Sequence, residues 1–218
     1  MKKFLIENEN IFNKIDSADK AYWLGFLSAD GYITKNNQIG LTLSEIDKEH
    51  IEKFRKFIGA NYEIKTYKPS KTAWSENNYC RLLFTSKTMY EDLVNLGLTT
   101  NKTLDLKRPN IDNKYVLDYI RGFIDADGSL TSYLPKNKKS KAYNLKITSQ
   151  EDILLFILEN LNLSHLKIIK YKNKNASYIS IGGNKQLDDI MDLIYKDSNY
   201  YLDRKYDKYL EFKNSRAG

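Results

Sequence analysis

Asp30 and Asp127 are the residues around which chemistry is most readily built, because each closes the same segment of sequence. Residues 21–31 read Ala-Tyr-Trp-Leu-Gly-Phe-Leu-Ser-Ala-Asp-Gly, and residues 118–128 read Asp-Tyr-Ile-Arg-Gly-Phe-Ile-Asp-Ala-Asp-Gly. Each carries small residues four apart, Gly25 with Ala29 and Gly122 with Ala126. On a helix that spacing makes one stripe along which two backbones can approach closely. Since the stripe occurs twice in register, the two helices are expected to pack on each other about a pseudo-twofold axis, with Gly25 and Gly122 at the interface of the repeats. Glycine after the Asp is the expected helix stop. The Asp itself is out of place, since a carboxylate at a helix C-terminus opposes the helix dipole and two facing carboxylates repel. A cation resolves both conflicts. Oxygen ligands without a nearby His or Cys point to Mg²⁺, held by Asp30 and Asp127 and completed by water and phosphate oxygens. Such a pair suits phosphodiester hydrolysis, with one Asp serving each strand of a duplex.

Composition narrows the alternatives. The 218 residues include two His, His50 and His165, and one Cys, Cys80. A disulfide framework and a Cys-rich zinc cluster are thereby excluded within one chain, and mechanisms that need several histidines are hard to house. At 41% hydrophobic the chain can bury a core. A net charge of +7, a pI near 9.1 and 17 Tyr suggest a polyanionic partner. No stretch approaches the ~20 apolar residues of a membrane span, and the start lacks a secretory apolar core, so an intracellular protein of the cytoplasm or an organelle matrix is expected.

The repeat continues past the shared segments. Leu43-Ser44-Glu45-Ile46-Asp47 aligns with Thr148-Ser149-Gln150-Glu151-Asp152, and each Asp is placed to open a helix as an N-cap. Periodicity predicts helix 17–30, strands 32–35 and 39–44, helix 48–58, strands 62–68 and 79–85 and helix 88–96 in the first half. The second half reads helix 114–127, strands 129–134 and 143–149, helix 153–161, strands 166–172 and 177–182 and helix 185–195, followed by a tail able to form one more helix. The fold class is therefore α+β, two pseudo-symmetric α-β-β-α-β-β-α repeats. Residues 1–97 form the first repeat, 98–113 a linker, and 114–218 the second repeat with its tail. Each antiparallel sheet is covered by helices on one face, and the free faces together form a saddle suited to a duplex.

Trp23-Leu-Gly-Phe-Leu-Ser-Ala-Asp-Gly31 and Ile120-Arg-Gly-Phe-Ile-Asp-Ala-Asp-Gly128 resemble the two namesake motifs of a single-chain LAGLIDADG homing endonuclease, and the resemblance covers nearly the whole chain. It implies that Asp30 and Asp127 are metal ligands assisted by the main-chain carbonyls of Ala29 and Ala126. It implies that Glu45 and Gln150 help organise the water, Glu45 departing from the commoner Gln, and that Lys87 and Lys185 support the water network or transition state. Asp125 has Ser28 as its counterpart in the first motif and is not expected to be essential. Mn²⁺ is expected to replace Mg²⁺, and Ca²⁺ to bind without supporting cleavage.

Strand alternation aims one set of side chains at DNA: Tyr32, Thr34, Lys65, Tyr67 and Arg81 in the first half, and Ser129, Thr131, Tyr133, Asn144, Lys146 and Thr148 in the second. The loop bearing Lys136, Lys138, Lys139 and Lys141 is expected to reach along phosphates, and loop 69–78, with Trp74, to match it from the first half. The function so implied is site-specific, Mg²⁺-dependent cleavage of both strands of a long DNA target by a monomer acting as a pseudo-dimer. An RNA maturase that binds intron RNA and a non-cleaving DNA-binding regulator are the alternatives on the same fold.

Overall fold

The two repeated segments fold as α1 (Ala18–Ala29) and α5 (Val116–Asp127). The computed structural model describes residues 5–69, 77–136, 140–172 and 175–216. Ser17 starts α1, its hydroxyl accepting the Lys20 N–H at 3.3 Å. After α1 come β1 (Gly31–Ile33), β2 (Gln38–Ser44), α2 (Lys48–Phe57), β3 (Lys65–Tyr67), β4 (Tyr79–Thr85), α3 (Lys87–Asn95) and a helical turn, α4 (Lys102–Asp105). After α5 come β5 (Gly128–Tyr133), β6 (Ala142–Ser149), α6 (Glu151–Asn160), β7 (Ile169–Lys170), β8 (Ser177–Gly182), α7 (Asn184–Tyr195) and α8 (Asp203–Asn214). The strands form two antiparallel sheets of matching order, β1-β2-β4-β3 and β5-β6-β8-β7.

Alternation sorts the two faces of each sheet. Cys80, Leu82 and Phe84 of β4 are buried with Leu41 and Leu43 of β2, as are Leu145 and Ile147 of β6 with Ile179 and Ile181 of β8. Tyr79, Arg81, Asn144, Lys146, Tyr178 and Ser180, between them in sequence, remain half-buried or exposed on the opposite face. The edge strands β3 and β7 are shorter than predicted, each pairing with one neighbour only.

The centre of the molecule is the α1–α5 contact, the most extensive between any two elements. A Cβ built on Gly25 would lie 2.0 Å from the Tyr119 carbonyl oxygen, and one built on Gly122 would lie 2.0 Å from the Tyr22 carbonyl oxygen. The reciprocity is that of a twofold axis, and the stripe brings backbone against backbone. Gly31 and Gly128 have a different role from the left-handed stop expected of them. Gly128 is extended (φ −73°, ψ 149°) and neither residue has positive φ. Each starts a strand, and a Cβ there would strike the preceding helix, at Leu27 O (2.7 Å) or Ile124 O (2.5 Å).

Two of the expected caps also differ. Asp47 precedes α2 without capping it, because its carboxylate accepts from Arg204 Nε of α8 at 2.9 Å. Asp152 lies within α6, which starts at Glu151, and accepts from Arg108 Nε at 2.8 Å. In both cases a charge-assisted bond from a distant arginine outcompetes a backbone N–H.

Beneath the helix interface His50 is 1% exposed, its Nε2 3.0 Å from the Tyr22 hydroxyl. That hydroxyl donates to Asp125, so His50 Nε2 carries the proton and donates to it. Burial, reinforced by Lys53, Arg204 and Lys205, pulls the imidazole pKa down to about 3. The unfolded chain therefore binds a proton that the folded chain refuses between the ordinary value of 6.5 and about 3. Stability from this group is present above that window and lost as pH falls through it, by up to about 1.4 kcal/mol per pH unit. His50→Gln is expected to cost stability at pH 7 and much less at pH 4.5. Calorimetric melts of both proteins at the two pH values check this, and an unchanged gap refutes it.

Candidate active site

Asp30 follows the last turn of α1 and Asp127 ends α5, so the helix pairing brings the two carboxylates near each other, each directly before the first strand of its sheet. Asp30 is half-buried and Asp127 is exposed. Burial and then the Asp127 charge push the Asp30 carboxyl up to about 6. Asp127 is also raised, because surrounding protein displaces its water, with Lys102 and Lys205 opposing the rise. Two carboxylates that resist ionisation, side by side, form a site short of positive charge.

Two lysines supply part of it. The Lys102 ammonium, at the start of α4, donates to the carbonyl oxygen of Ala29. Lys205 of α8, 8% exposed, donates to the carbonyls of Ile124 (2.9 Å), Ala126 (3.1 Å) and Gly128 (2.6 Å). Burial lowers both, Lys205 to about 8, while Asp30 and Asp127 act to keep them charged. Lys102 and Lys205 were not singled out from the sequence. The available signal is positional, each lying shortly after the helix that follows the fourth strand of its repeat, α3 or α7.

Of the residues assigned from the resemblance, Gln150 joins this cluster. Its Nε2 donates to the Lys102 carbonyl at 2.6 Å, and a cleft of about 180 Å³ opens among Asp127, Lys102 and Gln150 over Ser28, Ala29 and Phe123. Glu45 is exposed and accepts from Asn78 Nδ2 at 2.9 Å. Lys87 is exposed on the first turn of α3, 3.8 Å from Glu91, and Lys185 is exposed on the first turn of α7. The positive charges acting on Asp30 belong to Lys102, Lys205 and Arg204 instead. Asp125 is wholly buried and away from solvent, accepting three hydrogen bonds.

The donor set suits a hard divalent ion. Two carboxylates and the carbonyls of Ala29 and Ala126 are all oxygen, and the two carbonyls are already met by ammonium groups, cations in the positions a metal charge would take over. Among the described residues no three His, Cys, Asp or Glu gather to make a full protein cage.

On the free face of the first sheet the Arg81 guanidinium lies 5.1 Å and 5.8 Å from the rings of Tyr67 and Tyr79, which stack on each other at 5.2 Å, and its Nε donates to Thr42 Oγ1 at 3.3 Å. The second sheet repeats the theme with Lys146 4.0 Å from the Tyr178 ring and 5.1 Å from that of Tyr171. Asn144 accepts from Ser180 Oγ at 2.8 Å. Lys65, Ser129, Thr131, Tyr133 and Lys136 are exposed, and Tyr32, Thr34 and Thr148 half-buried. Lys141 is tied to Glu211 of α8 at 3.1 Å. Lys138, Lys139 and Trp74 lie outside the described residues. Tyr79 and Tyr178, which pack against the two cations, are not among the residues singled out from the sequence, although the alternation of β4 and β8 puts both on the free face.

Residues 17–95 match the model of a LAGLIDADG-like domain, and residues 120–215 match that of LAGLIDADG endonucleases. No curated protein sequence matches the chain. Among solved structures it is similar to the I-GzeII LAGLIDADG homing endonuclease in complex with its DNA target, at 14% identity and a TM-score of 0.61, over 90% of this chain and 88% of that one. It is similar to I-LtrWI bound to target DNA, at 15% identity and a TM-score of 0.60, over 96% and 92%. It is also similar to I-SmaMI bound to uncleaved DNA in the presence of calcium ions, at 16% identity and a TM-score of 0.58, over 89% of each chain. With both halves matched and the paired motif helices at its centre, the chain belongs to the LAGLIDADG endonuclease family, in its single-chain, two-motif form.

Proposed function

We propose that the protein is a site-specific, Mg²⁺-dependent endonuclease that cuts both strands of a DNA duplex as a monomer, residues 1–97 and 114–218 each serving a half-site and 98–113 joining them. The observation that carries this reading is the pairing of Asp30 and Asp127 across a pseudo-twofold axis, each beside a lysine-capped carbonyl. Bound metal would be held by Asp30, Asp127 and the carbonyls of Ala29 and Ala126, and supplies an acidified water and charge for the leaving oxygen. The chain's own groups do the rest. Lys102 and Lys205 keep positive charge beside the two aspartates, where the scissile phosphates would lie. Gln150 holds the backbone of Lys102, and the cleft it lines gives a water room beside Asp127. The two cation-on-tyrosine clusters lie on the faces that receive the duplex. The relatives named above are DNA complexes, and nothing in the site favours RNA over DNA.

The reading is tested by selecting cleaved duplexes from a randomised library in Mg²⁺ and mapping their ends. It requires one recurring site with a break in each strand. A recurring bound sequence without breaks would make the protein a regulator. On the selected duplex, Arg81→Ala is expected to weaken binding by about 1–3 kcal/mol and Arg81→Lys to restore only part of it, since a lysine cannot lie flat against two rings. Binding titrations at several salt concentrations measure both, and wild-type affinity in Arg81→Ala removes the residue from the interface.

A further inference from the structure

The second motif carries charged residues at two positions where the first carries none. Arg121 and Asp125 stand where the aligned positions of the first motif hold Leu24 and Ser28. They are 3% and 0% exposed, so their partners reveal what they are for. Arg121 donates from Nε to the Tyr200 carbonyl (3.1 Å) and from Nη1 to the Ile194 carbonyl (3.0 Å), and pairs with Asp118 at 2.8 Å. Asp125 accepts from the Tyr195 hydroxyl (2.5 Å), the Leu202 N–H (2.8 Å) and the Tyr22 hydroxyl (2.9 Å). Four of these six partners lie between residues 194 and 202, the chain that runs from the end of α7 to the start of α8. Leu202 is the residue from which α8 springs, and Lys205 is in its first turn. The buried polar side of α5 thus grips the segment that places the Lys205 ammonium against the carbonyls of Ile124, Ala126 and Gly128.

The first half has no such device. The Ser28 hydroxyl turns back to the Leu24 carbonyl at 2.8 Å, and Lys102, reaching one carbonyl, is steadied through its own backbone by Gln150. We propose that Asp125 and Arg121 are positioning residues that hold Lys205 at the Asp127 half-site, and that the two strands of the substrate are consequently cut with unequal dependence on them. The second clause rests on the endonuclease reading above, and the first does not.

The experiment has two readouts on full-length protein. Pulse acetylation with an N-hydroxysuccinimide ester, read by peptide mass spectrometry, reports exposure of Lys205 with Lys102 as internal reference. Strand-resolved cleavage of a supercoiled plasmid carrying the selected target reports each cut. Asp125→Ser installs the first motif's residue, and Arg121→Leu does the same at the other position. In each, Lys205 labelling relative to Lys102 is expected to rise roughly tenfold as the 194–202 segment opens. One strand is expected to slow by roughly a hundredfold, with nicked plasmid accumulating and KM little changed. Asp125→Asn keeps an acceptor for Leu202 and can donate to a tyrosine hydroxyl, so it should stay near wild type in both. Tyr195→Phe, a milder change, gives the same pattern at smaller size and stands in if Asp125→Ser does not fold. The proposal is overturned if Lys205 stays protected in the folded variants, if both strands slow equally, or if Asp125→Asn is as impaired as Asp125→Ser. If wild type cuts no DNA, the endonuclease reading fails while the labelling still decides whether Lys205 is held.

Discussion

Asp30→Asn or Asp127→Asn is expected to slow cleavage of at least one strand by roughly a thousandfold, because each would remove a ligand from the metal proposed to lie there, which is worth several kcal/mol to the transition state. The same substitutions should make the metal-free protein more stable. Asp30 has a folded pKa of about 6 against an ordinary 3.8, so the folded state holds its proton more tightly. Its cost to folding is absent below 3.8, grows as pH rises to about 6 and is complete above that. By linkage the difference is on the order of 2–3 kcal/mol at pH 8. In EDTA at pH 8, Asp30→Asn should therefore melt above wild type, and at pH 3.5 the two should converge. Mg²⁺ should raise the wild-type melting temperature and leave the Asp30→Asn/Asp127→Asn double variant unmoved. A destabilised Asp30→Asn in EDTA contradicts the charge conflict on which the site is built.

Substitution at the helix crossing is expected to be the other large effect. Gly25→Ala puts a methyl group 2.0 Å from the Tyr119 carbonyl oxygen, and that neighbour is backbone, unable to swing aside. The helices must separate, at a cost of about 3 kcal/mol or more, since overpacking at a rigid contact lies at the upper end of such penalties. Gly122→Ala meets the Tyr22 carbonyl in the same way. Once one helix has been pushed back the second methyl finds room, so the double variant should lose clearly less than the sum of the two singles. Denaturant unfolding of the four proteins measures the cycle. Strict additivity means the two glycines do not share one crossing. Because the crossing carries Asp30 and Asp127, any single variant that folds should also cut more slowly at low temperature.

Much of this architecture is legible in the sequence because repetition multiplies weak signals. One Gly-xxx-Ala stripe is ordinary, and two in register specify a helix pair. The same holds for Asp-Gly, and period-two runs located β2, β4, β6 and β8 to within a residue or two. What escaped the sequence depends on chain far away in it. Lys102 lies in the segment read as a linker and Lys205 in the charged tail, neither with a periodic pattern to single it out. Only the folded route of 98–113 and of 194–202 brings them to the aspartates. Lys87 and Lys185 follow from the resemblance alone, and both are exposed on the first turns of α3 and α7. The expected caps at Asp47 and Asp152 were displaced by Arg204 and Arg108, partners no local rule can supply. Asp125 looked dispensable because the first motif has Ser28 in its place. That same asymmetry marks the buried anchor of the C-terminal segment.

Two half-sites in one chain, each built on one motif aspartate and both dependent on a divalent ion, is the arrangement proposed. Its most direct test follows a supercoiled plasmid bearing the selected target with wild type, Asp30→Asn and Asp127→Asn, in Mg²⁺, in Ca²⁺ and in EDTA. Wild type in Mg²⁺ is expected to yield nicked and then linear DNA, Ca²⁺ to support binding without cleavage, and each variant to bind without producing linear DNA. Linear product from either variant at the wild-type rate, or from wild type in EDTA, contradicts it.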